Sequence, residues 1–192
     1  MIIGITGGSG CGKTTALEVV RELGGVVLDC DELYHELLKT DKALLWAIDG
    51  RFPGTVVEGV LDRKKLGAIV FSDKNALRDL NQITHGVVKA EVIRRLSPPP
   101  ALAAIDAFAL FGGGLAELCD VTVAVTAPLE VRVKRLMARD GITEDYARAR
   151  IAAQRDESGL CSHLLENHGT ICEFKSKCLA FFRHLTIIDS KR

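Results

Sequence analysis

The chain has 192 residues, enough for one α/β domain with a substantial core and too few for two ordinary domains. Its 25 basic and 25 acidic residues balance, which argues against a protein that coats nucleic acid or binds anionic membranes through net charge. The sequence has no apolar run long enough to span a bilayer, and its N-terminus has neither a basic region before the apolar stretch nor a cleavage site. We therefore expect a cytoplasmic protein.

A glycine-rich segment follows the apolar run from Met1 to Ile5 and precedes a stretch with helical spacing. It reads G-x-x-x-x-G-K-T from Gly7 to Thr14, which is the P-loop pattern. Glycines let successive N–H groups turn toward phosphate oxygens, the lysine adds a point charge, and the threonine hydroxyl suits Mg²⁺. The pattern predicts a site for a purine nucleoside triphosphate with Mg²⁺, in which Thr14 is the metal ligand. A glycine-rich turn without a ligand is the alternative.

The residues of this loop that we expect to contact the nucleotide are Gly8, Ser9, Gly10, Cys11, Gly12, Lys13, Thr14 and Thr15. The six cysteines of the chain show no C-x-x-C spacing, so we expect reduced, mostly buried thiols. Cys11 is the expected exception, because a thiol inside a phosphate loop would be accessible to oxidation.

Two carboxylates follow the apolar strand predicted at residues 26–29. They lie where ligands bind in open α/β sheets, at the carboxyl end of a strand. We expect Asp31 to orient or deprotonate an acceptor hydroxyl. Asp29 is the alternative, or helps to hold metal-bound water, and capping of the next helix is the structural explanation for the pair.

Helical patterns dominate residues 32–96 and surround a loop at 50–59, and the prolines at 98–100 end the last helix. A helical insertion of this kind carries the second substrate in many small kinases. Further strands are predicted at 101–108, 121–126 and 163–166, and further helices at 115–119, 129–139, 144–154 and 172–184. Alternating strands and helices predict one three-layer α/β/α domain with a mostly parallel five-stranded sheet.

Arginines are concentrated between residues 132 and 155, at positions 132, 135, 139, 148, 150 and 155. We expect a lid at about 139–160 whose guanidinium groups close over the phosphates, and the alternative is a solvated helix face. Arg139 and Arg150 are the preferred candidates. Asn167 and Gly169, after the last strand, are the expected contacts of the adenine base, with a plain strand-to-helix turn as the alternative.

Seven stretches, in the same order along the chain, resemble the dephospho-coenzyme A kinase family. They lie at residues 5–15, 27–33, 61–73, 83–85, 135–141, 147–154 and 166–169. The region from Leu61 to His85 is the most discriminating, because other P-loop kinases lack it. The resemblance implies ATP-dependent phosphorylation of the ribose 3′-hydroxyl of dephospho-coenzyme A, giving coenzyme A and ADP.

By the same resemblance, Asp31 matches the catalytic aspartate, and Arg63 and His85 lie in the helical part that holds the acceptor. A structural histidine is the alternative for His85. From their own patterns, Lys13 and Arg139 are expected to act on the phosphates and Arg150 to bind the acceptor. The domain then divides into a core at about 1–31, 97–138 and 161–192 and an acceptor-binding insertion at 32–96. The only partner implied is this small-molecule substrate, and the sequence gives no indication of oligomeric state.

Two glycines depart from the family pattern. Gly86 replaces a proline, and Gly112 replaces a glutamate after the third strand. Two rival functions therefore stay open: another small-molecule P-loop kinase, or a nucleotide-binding protein with reduced or lost turnover.

Overall fold

The computed structural model describes residues 1–189. It divides into two compact units, one formed by residues 1–28 with 98–189 and the other by residues 29–97. The strands are β1 (Ile2–Thr6), β2 (Val26–Asp29), β3 (Val56–Val57), β4 (Val60–Leu61), β5 (Ala103–Asp106), β6 (Val121–Thr126) and β7 (His163–Glu166). The helices are α1 (Lys13–Glu22), α2 (Cys30–Thr40), α3 (Lys42–Arg51), α4 (Arg63–Val70), α5 (Lys74–Arg95), α6 (Leu129–Asp140), α7 (Glu144–Ala152) and α8 (Ile171–Asp189).

The first unit is built on a five-stranded sheet with the order β2-β5-β1-β6-β7. The pairs β1–β5, β1–β6 and β6–β7 are parallel, as the alternation of strands and helices predicts. Strand β1 is central, and Ile3 and Ile5 are fully buried, which explains its unbroken apolar sequence. Because α1 and α8 pack together beside this sheet, the core also contains Phe174, Cys178 and Phe182.

The second unit consists of α2, α3, α4 and α5 with a short antiparallel hairpin, β3–β4. Helix α5 packs against the other three. The predicted loop at 50–59 is wrong in detail, because α3 continues to Arg51 and Val56 pairs with Leu61 in the hairpin. The next helix begins only after Asp62, whose side chain accepts the Lys65 N–H at 2.9 Å and caps it.

The remaining corrections concern element ends. The third predicted strand spans only Ala103–Asp106, the predicted helix at 115–119 is a 3₁₀ turn at Ala116–Leu118, and α7 ends two residues before Gln154. Helix α8 extends beyond its predicted end at residue 184. Over residues 1–189, none of the helices combines the length and the apolar character needed to cross a bilayer.

Candidate active site

The P-loop lies between the end of β1 at Thr6 and the start of α1 at Lys13. Gly10 and Gly12 have φ angles of 81° and 98°, a left-handed conformation that favours glycine. No side chain caps the N-terminus of α1, so its first turn leaves N–H groups and the positive end of the helix dipole for a ligand. This is the geometry of an anion-binding loop.

Lys13 pairs with a carboxylate that the sequence analysis did not select. Its Nζ lies 2.6 Å from Oδ1 of Asp106, the last residue of β5. The parallel register places Asp106 beside Ile5, one residue before the end of β1, so the carboxylate lies next to the P-loop. Asp106 ends an apolar run, and that was the signal available in the sequence. In P-loop NTPases an aspartate at such a strand end helps to hold Mg²⁺.

The donor set beside the loop fits Mg²⁺. It consists of the Thr14 hydroxyl, in the exposed first turn of α1, and the Asp106 carboxylate. Within residues 1–189 there is no cluster of three or more His, Cys, Asp or Glu side chains that could cage a metal. Mg²⁺ commonly takes only one or two protein oxygens and fills its octahedron with substrate phosphates and water, so a hydroxyl and a carboxylate suffice.

Two arginines of α6 contact the main chain of the P-loop. Arg132 Nε donates to the Ser9 carbonyl oxygen at 3.0 Å, and Arg135 Nη1 donates to the Gly10 carbonyl oxygen at 3.1 Å. Their spacing of three residues puts both on one face of the helix. Both were candidates in the arginine cluster, but the sequence analysis preferred Arg139 and Arg150.

Asn167 and Gly169 lie beside the same loop. Asn167 is 4% exposed, and its Nδ2 donates to the Cys11 carbonyl oxygen at 2.8 Å. Arg135 Nη2 donates to Asn167 Oδ1 at 3.0 Å and to the Gly169 carbonyl oxygen at 3.3 Å. Hydrogen bonds therefore link the turn after β7 to the phosphate loop, and an open pocket lies against Gly169 and Phe174.

Arg139 and Arg150 are joined to each other through Asp140. Arg139 Nε donates to Asp140 Oδ1 at 2.7 Å, and Arg150 Nη1 donates to Oδ2 at 2.8 Å. The hydrogen bond from Arg139 lowers the pKa of Asp140 below its usual value. Their side chains are 59% and 43% exposed, and over residues 1–189 neither donates to the P-loop. The structure brings the two arginines together, but apart from the phosphate loop.

Cys11 does not have the accessibility expected of it. Its side chain belongs to the core cluster around β1 and α1, and the residue is 2% exposed. Burial raises the pKa of its thiol above the usual value. The expectation of an oxidisable thiol in the loop is therefore wrong.

Asp29 and Asp31 have different surroundings in the second unit. Asp29 Oδ1 accepts the N–H groups of Asp31 at 2.9 Å and Glu32 at 3.0 Å, so it caps α2. For Asp29, helix capping, the structural explanation given above, is therefore confirmed. Asp31 lies in the first turn of α2 and is exposed, so its carboxylate is open to a ligand.

Two of the predicted acceptor residues, Arg63 and His85, also lie in the second unit, whereas Arg150 lies in the first. Arg63 begins α4, and its Nη2 lies 3.0 Å from Nδ1 of His35, a residue that the sequence analysis did not consider. His85 is half-buried on α5. The next residue, Gly86, lies inside this unbroken helix, where a proline would remove a hydrogen bond.

A cavity of about 330 Å³ opens between the P-loop, the end of β6 and residues 151–158. One of its lining residues is Glu157, which is 5% exposed and accepts the Phe111 N–H at 3.4 Å through Oε2. A Cβ atom added at Gly112 would lie 4.0 Å from Glu157 Oε1. The carboxylate expected after the third strand is absent at Gly112, but Glu157 places one in the same neighbourhood.

Comparisons with known proteins agree with this geometry. A family model described as dephospho-CoA kinase matches residues 1–173. A dephospho-CoA kinase from Mesorhizobium japonicum is 40% identical over 158 residues, which cover 80% of this chain and 79% of that protein. One from Geobacillus kaustophilus is 32% identical over 198 residues, with 98% of both chains covered.

Solved structures support the fold. The crystal structure of a Thermus thermophilus protein matches with a TM-score of 0.79 and 34% identity over 96% of both chains. A dephospho-CoA kinase from Campylobacter jejuni matches with a TM-score of 0.69 and 24% identity over 98% of both chains, which supports the fold alone. The family model covers all of the P-loop, the Lys13–Asp106 pair and the turn after β7. The chain therefore belongs to the dephospho-CoA kinase family.

Proposed function

We propose that the chain transfers the γ-phosphoryl group of ATP to the ribose 3′-hydroxyl of dephospho-coenzyme A, giving coenzyme A and ADP in the last step of coenzyme A biosynthesis. The observation that carries the proposal is the Lys13–Asp106 pair at the mouth of an uncapped P-loop in a chain of this family. A member of this family uses a nucleotide as phosphoryl donor and acts on a small molecule. The cytoplasmic location predicted from the sequence belongs with this proposal.

The phosphate site is formed by backbone and side chains together. The N–H groups of Gly10, Gly12, Lys13 and Thr14 surround the β- and γ-phosphates. Lys13 exchanges Asp106 for phosphate oxygens when the nucleotide arrives. Thr14 and Asp106 would hold Mg²⁺, which would supply positive charge to neutralise that of the phosphates. Asn167, Gly169 and Arg135 form the wall on which the adenine base rests.

The acceptor side is assigned to the unit of residues 29–97. Asp31 accepts the proton of the 3′-hydroxyl while that oxygen attacks the γ-phosphorus. The bond from phosphorus to the β,γ-bridging oxygen breaks, and ADP leaves. Arg63 and His85 bind the rest of the acceptor. Asp31 is supported by its exposed carboxylate in the first turn of α2, which Asp29 caps.

Arg139 and Arg150 are proposed to act from a lid at residues 139–160. Their partner is one exposed carboxylate, Asp140, and a nucleotide phosphate offers the same kind of oxygen acceptor with more charge. We therefore infer that both guanidinium groups leave Asp140 for phosphate oxygens as the lid closes.

The direct test is the formation of coenzyme A from ATP and dephospho-coenzyme A by the purified chain, followed by chromatography. Parent protein is expected to turn over, and Lys13→Ala is expected to lose most activity, because it loses the charge on the transferred group. Shikimate and nucleoside monophosphates serve as control acceptors. Transfer to one of these, without transfer to dephospho-coenzyme A, would contradict the proposed acceptor, and MgATP binding without any transfer would favour a nucleotide-binding protein.

A further inference from the structure

The side chain of Gln154 connects the P-loop to the segment that follows α7. Ser9 donates its backbone N–H to Gln154 Oε1 at 2.9 Å, and Gln154 Nε2 donates to Ser9 Oγ at 2.7 Å. Arg132 Nη2 donates to the same Oε1 at 3.0 Å, while Arg132 Nε donates to the Ser9 carbonyl oxygen at 3.0 Å. Ser9, Gln154 and Arg132 thus form a closed ring of hydrogen bonds, which we call the Ser9 ring.

The Ser9 ring fixes the main chain of the P-loop. Both backbone polar groups of Ser9 bond to side chains that come from elsewhere in the sequence. The orientation of the peptides around Ser9 is therefore set by Gln154 and Arg132. A loop that binds phosphate through its N–H groups depends on this orientation, since a small misplacement of a binding group lowers the rate strongly.

The Ser9 ring is tightly packed against the neighbouring glycine. A Cβ atom added at Gly8 would collide with the Arg132 guanidinium group and would lie 2.8 Å from Gln154 Oε1. Gly8, Arg132 and Gln154 also line the cavity of about 330 Å³. Gln154 is therefore at the wall of the phosphate site, two residues after the end of α7 at Ala152.

We propose that Gln154 is a positioning residue. It holds the main chain at Ser9 so that the N–H groups of the loop residues after Ser9 face the phosphates, and it couples α7 to the state of the P-loop. This inference rests on the proposed function, in which residues 139–160 close over the phosphates. Because such coupling is reciprocal, nucleotide at the P-loop favours one placement of α7, and that placement favours nucleotide binding. Neither Gln154 nor the coupling belongs to the phosphate contacts proposed above.

Two variants distinguish the loss of the ring's hydrogen bonds from the addition of a negative charge at position 154. Gln154→Ala removes all three hydrogen bonds of the amide. Gln154→Glu keeps the acceptor oxygen, and the Ser9 hydroxyl turns to donate to the new carboxylate, so the ring is retained with a negative charge beside the phosphates. Gln82→Ala, at an exposed glutamine of α5, is the matched control.

In steady-state assays, Gln154→Ala should lower kcat/KM for ATP by roughly tenfold or more, with KM for dephospho-coenzyme A unchanged. Gln154→Glu should keep the parental melting temperature but raise KM for ATP, because the carboxylate repels the phosphates. Gln82→Ala should match the parent. Parental kcat/KM in Gln154→Ala would overturn the inference; if that variant fails to fold, parental KM for ATP in Gln154→Glu would do so.

Hydrogen–deuterium exchange tests the coupling independently of turnover. In the parent, MgATP should slow exchange in residues 144–152, and in Gln154→Ala saturating MgATP should leave exchange in α7 unchanged. An equal response in parent and Gln154→Ala would overturn the coupling. A parent that binds MgATP with this response but forms no coenzyme A would contradict the proposed function and leave the coupling supported.

Discussion

At the scale of single residues, the two aspartates at the end of β2 and the start of α2 have different roles. Asp29 caps α2 through the N–H groups of Asp31 and Glu32, and Asp31 keeps an exposed carboxylate. Asp31→Asn is expected to lower kcat by ~10²- to 10⁴-fold, the usual contribution of a proton acceptor, while MgATP still binds. Chromatography of coenzyme A measures turnover, and calorimetry measures binding. Turnover equal to the parent would show that Asp31 is not the proton acceptor.

Gly112 gives a second residue-scale prediction. Space is available there, but a Cβ atom would lie 4.0 Å from Glu157 Oε1, so a carboxylate at position 112 would face a second one. We expect Gly112→Glu to unfold at a lower temperature than Gly112→Gln, because only the glutamate adds a second negative charge beside Glu157. Thermal unfolding of the two variants measures this, and equal melting temperatures would show that Glu157 does not face this position.

The cysteines differ in reactivity because they differ in burial. Cys172 is exposed, whereas burial raises the pKa of the Cys178 thiol to about 12, so only about one part in 10⁴ is thiolate at pH 8. Cys11 is also buried, with a raised pKa. Brief treatment with iodoacetamide should therefore label Cys172 first and leave Cys11 intact, as peptide mass spectrometry would report. Early labelling of Cys11 would mean that the P-loop opens readily.

At the scale of elements, two arginines of α6 contact different parts of the chain. Arg135 reaches the Gly10 carbonyl, Asn167 and Gly169, whereas Arg139, one turn later, reaches Asp140. Arg135→Ala should raise KM for ATP about tenfold or more, because it removes hydrogen bonds at the predicted base and phosphate sites. Arg183→Ala, at an exposed position of α8, is the control and should match the parent. Equal KM values in both variants would contradict this role for Arg135.

The elements themselves were largely predictable from local patterns. Strand β6 occupies the predicted residues, and α7 begins at its predicted first residue, Glu144, where the Thr143 hydroxyl accepts the Tyr146 N–H. The β3–β4 hairpin was not predicted, because two-residue strands carry too little periodicity to detect. The sequence also could not show which of Arg135 and Arg139 contacts the P-loop. Both lie on one face of α6, and they differ only in the groups that they contact in the folded chain.

At the scale of the whole molecule, strand order decides which side chains meet at the site. Asp106 reaches Lys13 because β5, and not β2, lies beside β1. Gln154 reaches Ser9 across 145 positions of sequence. A motif predicts the residues inside it, as it did for the P-loop, but partners from distant segments depend on topology, which the sequence pattern did not specify.

Ligand-dependent stability tests the site in the intact chain. A nucleotide that binds only the folded protein stabilises it by about 2.7 kcal/mol at a hundredfold excess over its Kd. MgATP should therefore raise Tm by several degrees. The increase should vanish in Lys13→Ala and should depend less on Mg²⁺ in Asp106→Asn, because each variant removes one member of the charged pair. An unchanged Mg²⁺ dependence in Asp106→Asn would remove Asp106 from the metal site.

The core around β1 has a consequence for how the chain is synthesised. Ile3 and Ile5 share one core cluster with Phe174 and Phe182, which the ribosome adds long after the P-loop has emerged. A nascent chain cannot complete this core before those aromatic rings are available, since domains fold as units. During translation the phosphate loop is therefore present without a finished scaffold, and ribosome-bound fragments that stop before α8 should depend on chaperones and fail to retain ATP.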